Sequence, residues 1–98
     1  MTISKTMDGK ELTIALEGRL DTMTAPELEA ELNGALSGAN SLVFDFAQLS
    51  YISSAGLRVL LSTHKALMGK GGMKVRNVND VVQEVFDVTG FSDILTIE

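Results

Sequence analysis

The chain has no cysteine and no tryptophan, and only one proline and one histidine, among 98 residues. Without thiols it can hold neither a disulfide framework, a thiolate nucleophile nor a cysteine-ligated zinc ion, and nothing assigns it to an oxidising compartment. A single histidine rules out a histidine-rich metal centre, so no metal or cofactor is expected. No apolar run approaches the ~20 residues that a bilayer span requires. The opening Met1-Thr-Ile-Ser-Lys-Thr-Met-Asp-Gly-Lys10 lacks the apolar stretch of a secretory signal. The expectation is a cytoplasmic protein with no membrane insertion. Positive charge is also scarce, with 8 Lys and Arg against 13 Asp and Glu for a formal charge of −5. Nucleic-acid affinity rests on neutralising phosphates with Lys and Arg, so no nucleic-acid partner is expected either.

What remains is ordinary globular material, 45% apolar and 21% charged, and its length suits one domain over residues 1–98. Residues 3–7 and 11–16 are short, partly alternating segments flanking Asp8-Gly9-Lys10, a hairpin signal because glycine accepts positive φ. Gly18-Arg19-Leu20-Asp21 then leads out of the second strand. Thr24-Ala25-Pro26-Glu27 predicts a helix start, with Thr24 as cap, Pro26 in the first turn and Glu27 closing a capping box. Leu28, Leu32, Ala35 and Leu36 supply its apolar face. Glu27, Glu29 and Glu31 read as a solvated first turn that suits the helix dipole, not as a metal site.

Residues 42–46 predict a strand, followed by Gln48-Leu49-Ser50-Tyr51-Ile52. A second helix is expected from Ser53 or Ser54 to about Met68, with a stripe of Leu57, Leu60, Leu61, His64, Leu67 and Met68, ended by Gly69-Lys70-Gly71-Gly72. Residues 73–76 predict another strand. Asn79 caps a third helix carrying Val82, Val85 and Phe86 on one face, Gly90 ends it, and residues 93–97 predict a last strand. Met23, Met68 and Met73 are expected to fill core gaps. The order ββαβαβαβ implies a mostly parallel sheet whose first strand alone is antiparallel. Right-handed crossovers between successive neighbours then place the helices mainly on one face, giving a two-layer α/β domain with the other side open.

Catalytic motifs fail on inspection. Ser54-Ala55-Gly56 supplies only half of a G-x-S-x-G elbow, with Ile52 where the first glycine belongs. His64 lies ten residues along the same predicted helix, roughly 15 Å of rise from Ser54, so Ser–His catalysis fails on distance. Ser62-Thr63-His64-Lys65 matches the S-x-x-K string but sits mid-helix without its companion motifs. The glycines around Lys70 lack the spacing of a phosphate loop. The feature left is a pair of hydroxyls, Ser53 and Ser54, where a strand-exit loop becomes a helix. One of them acting as an N-cap is the plain reading, worth about 1 kcal/mol. A helix N-terminus also stabilises a dianion, so a phosphoserine there alters surface charge without unfolding the chain.

Residues 49–61, Leu-Ser-Tyr-Ile-Ser-Ser-Ala-Gly-Leu-Arg-Val-Leu-Leu, resemble the signature of the STAS family, the anti-sigma factor antagonists. Gly18-Arg19-Leu20-Asp21 with its Thr-rich helix start is similar to the family's first loop. Val78-Asn79-Asp80-Val81-Val82 through Phe86-Asp87-Val88-Thr89-Gly90-Phe91 resembles its C-terminal portion. The resemblance implies the STAS fold and a partner-switching protein without enzymatic activity. In that family the unphosphorylated antagonist binds an anti-sigma factor that is a serine kinase and so frees a sigma factor. The kinase uses ATP to phosphorylate a serine at the start of the second helix, breaking the complex, and a serine phosphatase restores it. The matching serine is Ser54, with Ser53 as the second candidate. The partner-binding surface implied is Asp21, Thr24, Ser53, Ser54, Ala55, Gly56 and Arg58. Two features depart from the family: Ser53 stands where phosphorylated members often have Asp, and the sequence ends at Glu98 without the C-terminal helix many members carry, so the surface that helix would cover is expected to be free for a partner. The competing expectation is a constitutive STAS-like subunit of a transporter or signalling complex, in which Ser54 is only a cap.

Overall fold

The first two strands, β1 (Thr2–Asp8) and β2 (Glu11–Leu20), pair as an antiparallel hairpin in the computed structural model, which describes residues 1–98. Asp8 faces Glu11, so the loop is Gly9-Lys10, and Gly9 takes φ +62° while Lys10 stays at negative φ. Glycine in the first central place with positive φ is the type II′ arrangement that fits the twist of a hairpin.

The chain continues as α1 (Ala25–Ala35), a 3₁₀ turn (Leu36–Gly38), β3 (Ser41–Ile52), α2 (Ser54–Leu67), β4 (Gly72–Arg76), α3 (Asp80–Thr89), a second 3₁₀ turn (Phe91–Asp93) and β5 (Thr96–Ile97). The strands lie in the order β1-β2-β3-β4-β5, and every pair after the hairpin is parallel. This is the two-layer architecture expected from the element order. Register aligns Leu12 with Leu42 and Met73, and Ile14 with Phe44 and Val75. Two apolar rows therefore cross the sheet, and Leu28, Leu32, Leu60, Leu67, Val82 and Phe86 of the helices join them in one core. The alternate residues put Thr13, Asp45, Lys74 and Arg76 around the buried Val43 on the other face, where Lys74 and Arg76 lie 4.0 and 3.4 Å from Glu98.

Three strands differ from expectation. β3 is one strand of 12 residues where the sequence suggests a strand with a separate segment behind it. Its core-facing positions run Leu42, Phe44, Phe46, then Leu49, then Ile52, a pattern that breaks period two twice, and Val43 is buried outside that core. The register against β2 shifts between Ala15 and Glu17 and again between Gly18 and Arg19, each time with one extra residue on β3. Each bulge flips which parity faces the core. β2 correspondingly runs on to Leu20 instead of ending near Leu16. At the other end, β5 shrinks to Thr96–Ile97 because Phe91–Asp93 winds into a 3₁₀ turn after Gly90, which takes φ +82°.

Two of the methionines expected in the core are on the surface. Met23 is 84% exposed in the turn before α1, and Met68, the C-cap residue of α2 where the chain turns extended with ψ 133°, is 67% exposed. Met73 is buried as expected. His64 is half-buried at the edge of that stripe, with its Nδ1 unpartnered. The buried Thr63 instead satisfies its hydroxyl by donating to the Val59 carbonyl at 2.7 Å.

Asn79 caps α3 as expected, its side-chain oxygen accepting from the Val82 N–H at 2.8 Å. Its amide also donates to the Leu49 carbonyl at 2.8 Å, which ties the α3 start to β3. Asn79→Ala removes both bonds and is expected to cost about 1–2 kcal/mol in urea denaturation. Asn79→Asp keeps the cap but loses the donor to Leu49, so its loss should be smaller. Equal stability of Asn79→Ala and wild type overturns this assignment.

Candidate functional site

Parallel strands β2 and β3 end side by side, and their exits open into α1 and α2. In α/β sheets the space beyond the carboxyl ends of the strands is where sites are built. Here the two exits are joined: the Ser53 N–H donates to the Leu20 carbonyl at 2.9 Å, and the Ser50 hydroxyl donates to the Gly18 carbonyl at 2.9 Å. Gly18 takes φ +108° at the second register shift.

The turn after β2 is held by Asp21 and not by the capping box expected from Thr24 and Glu27. One oxygen of the Asp21 carboxylate accepts from the N–H groups of Met23 and Thr24 at 3.0 and 3.2 Å, and its carbonyl accepts from Ala25 at 2.8 Å. The Thr24 hydroxyl is used elsewhere, accepting from the Asp21 N–H and donating to the Arg19 carbonyl, both at 2.8 Å. Thr24 has helical φ and ψ of −99° and −21° and makes no side-chain cap bond. Arg19 places its Nε 3.6 Å from Asp21 and its guanidinium 4.4 Å above the Tyr51 ring centroid.

Partial desolvation pushes the Asp21 carboxyl up, but hydrogen bonds from Thr24 and Met23 and the Arg19 charge outweigh it, holding the acid below its usual range. A depressed folded-state value stabilises the fold fully above the unfolded value and is lost as pH falls through the folded one. The Tm gap between wild type and Asp21→Asn should therefore be steady from about pH 7 to 5 and close below about pH 4, near the carboxyl's reference value. Asp45 and Asp87 are also held low, chiefly by Asn77 and Ser92 respectively, but both variants share them and they cancel in the difference. A gap that widens in acid contradicts this account.

The two serines differ sharply. Ser53 is the N-cap of α2, in extended conformation, yet its side chain makes no cap bond and its Oγ is buried without a partner. Ser54, the first helical residue, is exposed. With no side-chain cap, the leading N–H groups of the 14-residue α2 are left facing the Ser54 end, where the helix dipole is positive. Ala55 is half-buried and Arg58 exposed. Gly56 is buried and makes no outward contact. A Cβ there would lie 2.7 Å from Leu20 Cγ and 2.9 Å from Ile52 Cγ1, so glycine lets α2 rest on the strand exits.

An open groove of about 440 Å³ runs between α1 and α2, with Thr22, Pro26 and Glu29 on one wall and Ala55, Arg58 and Ser62 on the other. The structure thus brings Asp21, Thr24, Ser53, Ser54, Ala55 and Arg58 to one end of the molecule and sets Gly56 beneath them. The α1 wall of the groove was not foreseen, nor was the Arg19–Tyr51 stack. Nothing in the sequence aligns residues so far apart except knowledge that β2 and β3 end together. Chemically the surface offers an accessible hydroxyl on a cationic helix tip. No group of three or more His, Cys, Asp or Glu side chains gathers that could hold a metal ion, and no helix is long and apolar enough to cross a membrane.

A sheet with one antiparallel edge strand, three helices and a serine at the tip of the second defines a class of small α/β domain. The family described as "Mlab, STAS domain" matches residues 3–96, and the chain belongs to it. It is 37% identical to BtrV of Bordetella bronchiseptica, a protein named for anti-sigma factor antagonism, over 99% of this chain and 84% of the relative. It is 30% identical to the anti-sigma-B factor antagonist of Bacillus subtilis, over 89% of this chain and 81% of that one. Among solved structures, an anti-sigma factor antagonist from Mycobacterium paratuberculosis superposes with a TM-score of 0.89 at 22% identity, covering 98% of this chain and 83% of that one. The phosphorylated form of Bacillus SpoIIAA superposes at 0.76 and 20% identity over 99% and 91% of the two chains. At those identities the structures speak to fold alone.

Proposed function

We propose that this chain is an anti-sigma factor antagonist. Unphosphorylated, its α1–α2 surface docks an anti-sigma factor that is also a serine kinase. Phosphorylation of Ser54 breaks that complex, and a serine phosphatase resets it. The observation that carries the reading is the contrast between an exposed Ser54 and a Ser53 whose Oγ is buried. The two named relatives support the role, and phosphorylated SpoIIAA supports a fold that accepts the modification.

The chain's own part in the reaction is to present a nucleophile. Ser54 Oγ forms a bond to the γ-phosphorus of ATP, the bond from that phosphorus to the bridging β–γ oxygen breaks, and ADP leaves. The hydroxyl proton passes to a base on the kinase, since the one histidine here is ten residues along α2. The new group brings a charge of about −1.5 to −2 to a helix start with free N–H groups, so the fold tolerates it. In the docked complex the same charge faces the bound nucleotide's phosphates, and an unmatched charge at an interface costs about 2–5 kcal/mol.

Incubation with the cognate kinase and ATP, followed by intact mass measurement, tests this. Wild type and Ser53→Ala should each take up one phosphate and Ser54→Ala none. If no variant is modified although the complex forms, the gate is refuted and the constitutive STAS-like module of a transporter or signalling complex stands in its place.

A further inference from the structure

Charge is divided unevenly along this chain. Residues 77–98 contain Asp80, Glu84, Asp87, Asp93 and Glu98 and no Lys or Arg, so the whole formal charge of −5 resides there, and acids and bases balance in residues 1–76. Arg76 and Lys74 reach Glu98, and Asp87 accepts from Gln83 and Ser92, but Asp80, Glu84 and Asp93 have no cation within ion-pair distance.

The same segment carries a second apolar stripe. α3 buries Val82 and Phe86 against the sheet, while Val81 (53% exposed), half-buried Val85 and Val88 (80% exposed) follow one another at i, i+4 and i+7 on its outer side. Together with Glu84 and Thr89 they line a shallow hollow of about 310 Å³. An exposed apolar strip with a charged border marks a protein contact rather than ordinary surface.

We propose that the outer face of α3 docks a cationic amphipathic helix of a partner protein, with apolar residues laid along Val81, Val85 and Val88 and Lys or Arg over Asp80, Glu84 and Asp93. The local charge selects among occupants. A second copy joined two-fold through this face would set the acidic segment against itself, and an anionic lipid surface or a nucleic acid would be repelled. A helix that matches an i, i+4, i+7 row with its own apolar row and brings positive charge satisfies both features at once.

The test titrates a helical Leu/Lys peptide, and the same peptide with Glu in place of Lys, into the isotope-labelled full chain. With the Leu/Lys peptide, amide shifts should concentrate in residues 80–94 and weaken as salt approaches about 0.15 M. The Leu/Glu peptide should give none. The double variant Val81→Ser, Val88→Ser, altered only at exposed positions, should keep its Tm and bind roughly tenfold more weakly. Ser54→Asp should bind as wild type does, which separates this face from the proposed gate. The α1 turn with Glu27, Glu29 and Glu31 is the comparison surface: it is acidic too, but Glu31 is paired with Lys5 and its apolar neighbours Met1, Ile3 and Ala30 form no helical row. Equal shifts there, undiminished binding by the double variant, or a dimer of the free chain that the double variant abolishes would each overturn the proposal.

Discussion

Ser54→Asp is expected to weaken binding to the anti-sigma kinase by about two decades, corresponding to roughly 3 kcal/mol. Stability should move the other way. Ser54 is the first residue of α2, whose leading N–H groups have no side-chain cap, and a carboxylate in that first turn contributes about 0.3–1 kcal/mol through the dipole. For a domain near 100 residues that raises Tm by about 1–8 °C at low salt. The combination of lost affinity with retained or increased Tm separates a gate from a folding defect. Ser54→Ala should bind as wild type does, since Ser54 is exposed and supplies no cap bond. Calorimetric titration with the kinase and a thermal melt decide the matter. Equal Kd for wild type and Ser54→Asp, or a Tm that falls along with the affinity, excludes the gate.

Gly56→Ala has the larger expected effect on the fold. Alanine is the better helix former by about 1 kcal/mol, so propensity alone would stabilise α2. The added methyl, however, meets Leu20 Cγ at 2.7 Å and Ile52 Cγ1 at 2.9 Å, and both side chains are fully buried. Overpacking of this kind costs about 1–3 kcal/mol or more, and Gly56 is flanked on two sides, so the net loss should be about 2 kcal/mol. That lowers Tm by about 8–16 °C. The clash also levers the α2 start off the strand exits, displacing Ser54 relative to Asp21. A double-mutant cycle with Leu20→Ala tests the cause: the pair should be less destabilised than the sum of the singles by about 1 kcal/mol. Simple additivity, or an increase in Tm for Gly56→Ala alone, shows that the contact is not what requires glycine.

Local chemistry made most of the architecture legible. Gly9 in a two-residue loop fixed the hairpin, Asn79 and Gly90 bracketed α3, and the apolar spacing of Leu28 and Leu32 marked α1. Strand β3 was harder, because its two bulges against β2 move the core-facing residue from even to odd numbers and back again. A reading that relies on alternation stops at Phe46, where the alternation stops. The start of α1 misled for another reason. Thr24 and Glu27 have the spacing of a capping box, but Asp21 three residues earlier takes the Thr24 N–H that Glu27 would have bonded, and Arg19 O claims the threonine hydroxyl. Tertiary position decided the outcome, and the string alone does not contain it. For the candidate site, the residues named in advance do converge at one end of the sheet, because β2 and β3 are neighbours. The difference between Ser53 and Ser54 could not be read in advance, since two adjacent hydroxyls are equivalent until one Oγ is seen to be enclosed.

The Asp21 turn bears on how fast such a protein can respond. Its backbone is already fixed by the Asp21 carboxylate, the Thr24 hydroxyl and the bond from Ser53 to Leu20, so the docking proposed there would demand little ordering of the loop, a cost many regulatory complexes must meet at the moment of encounter. Collision and orientation alone then set how quickly a complex forms, within about 10⁵–10⁷ M⁻¹s⁻¹ for unsteered proteins. The lifetime of the complex, and not the time needed to assemble it, becomes the quantity that a covalent mark can adjust.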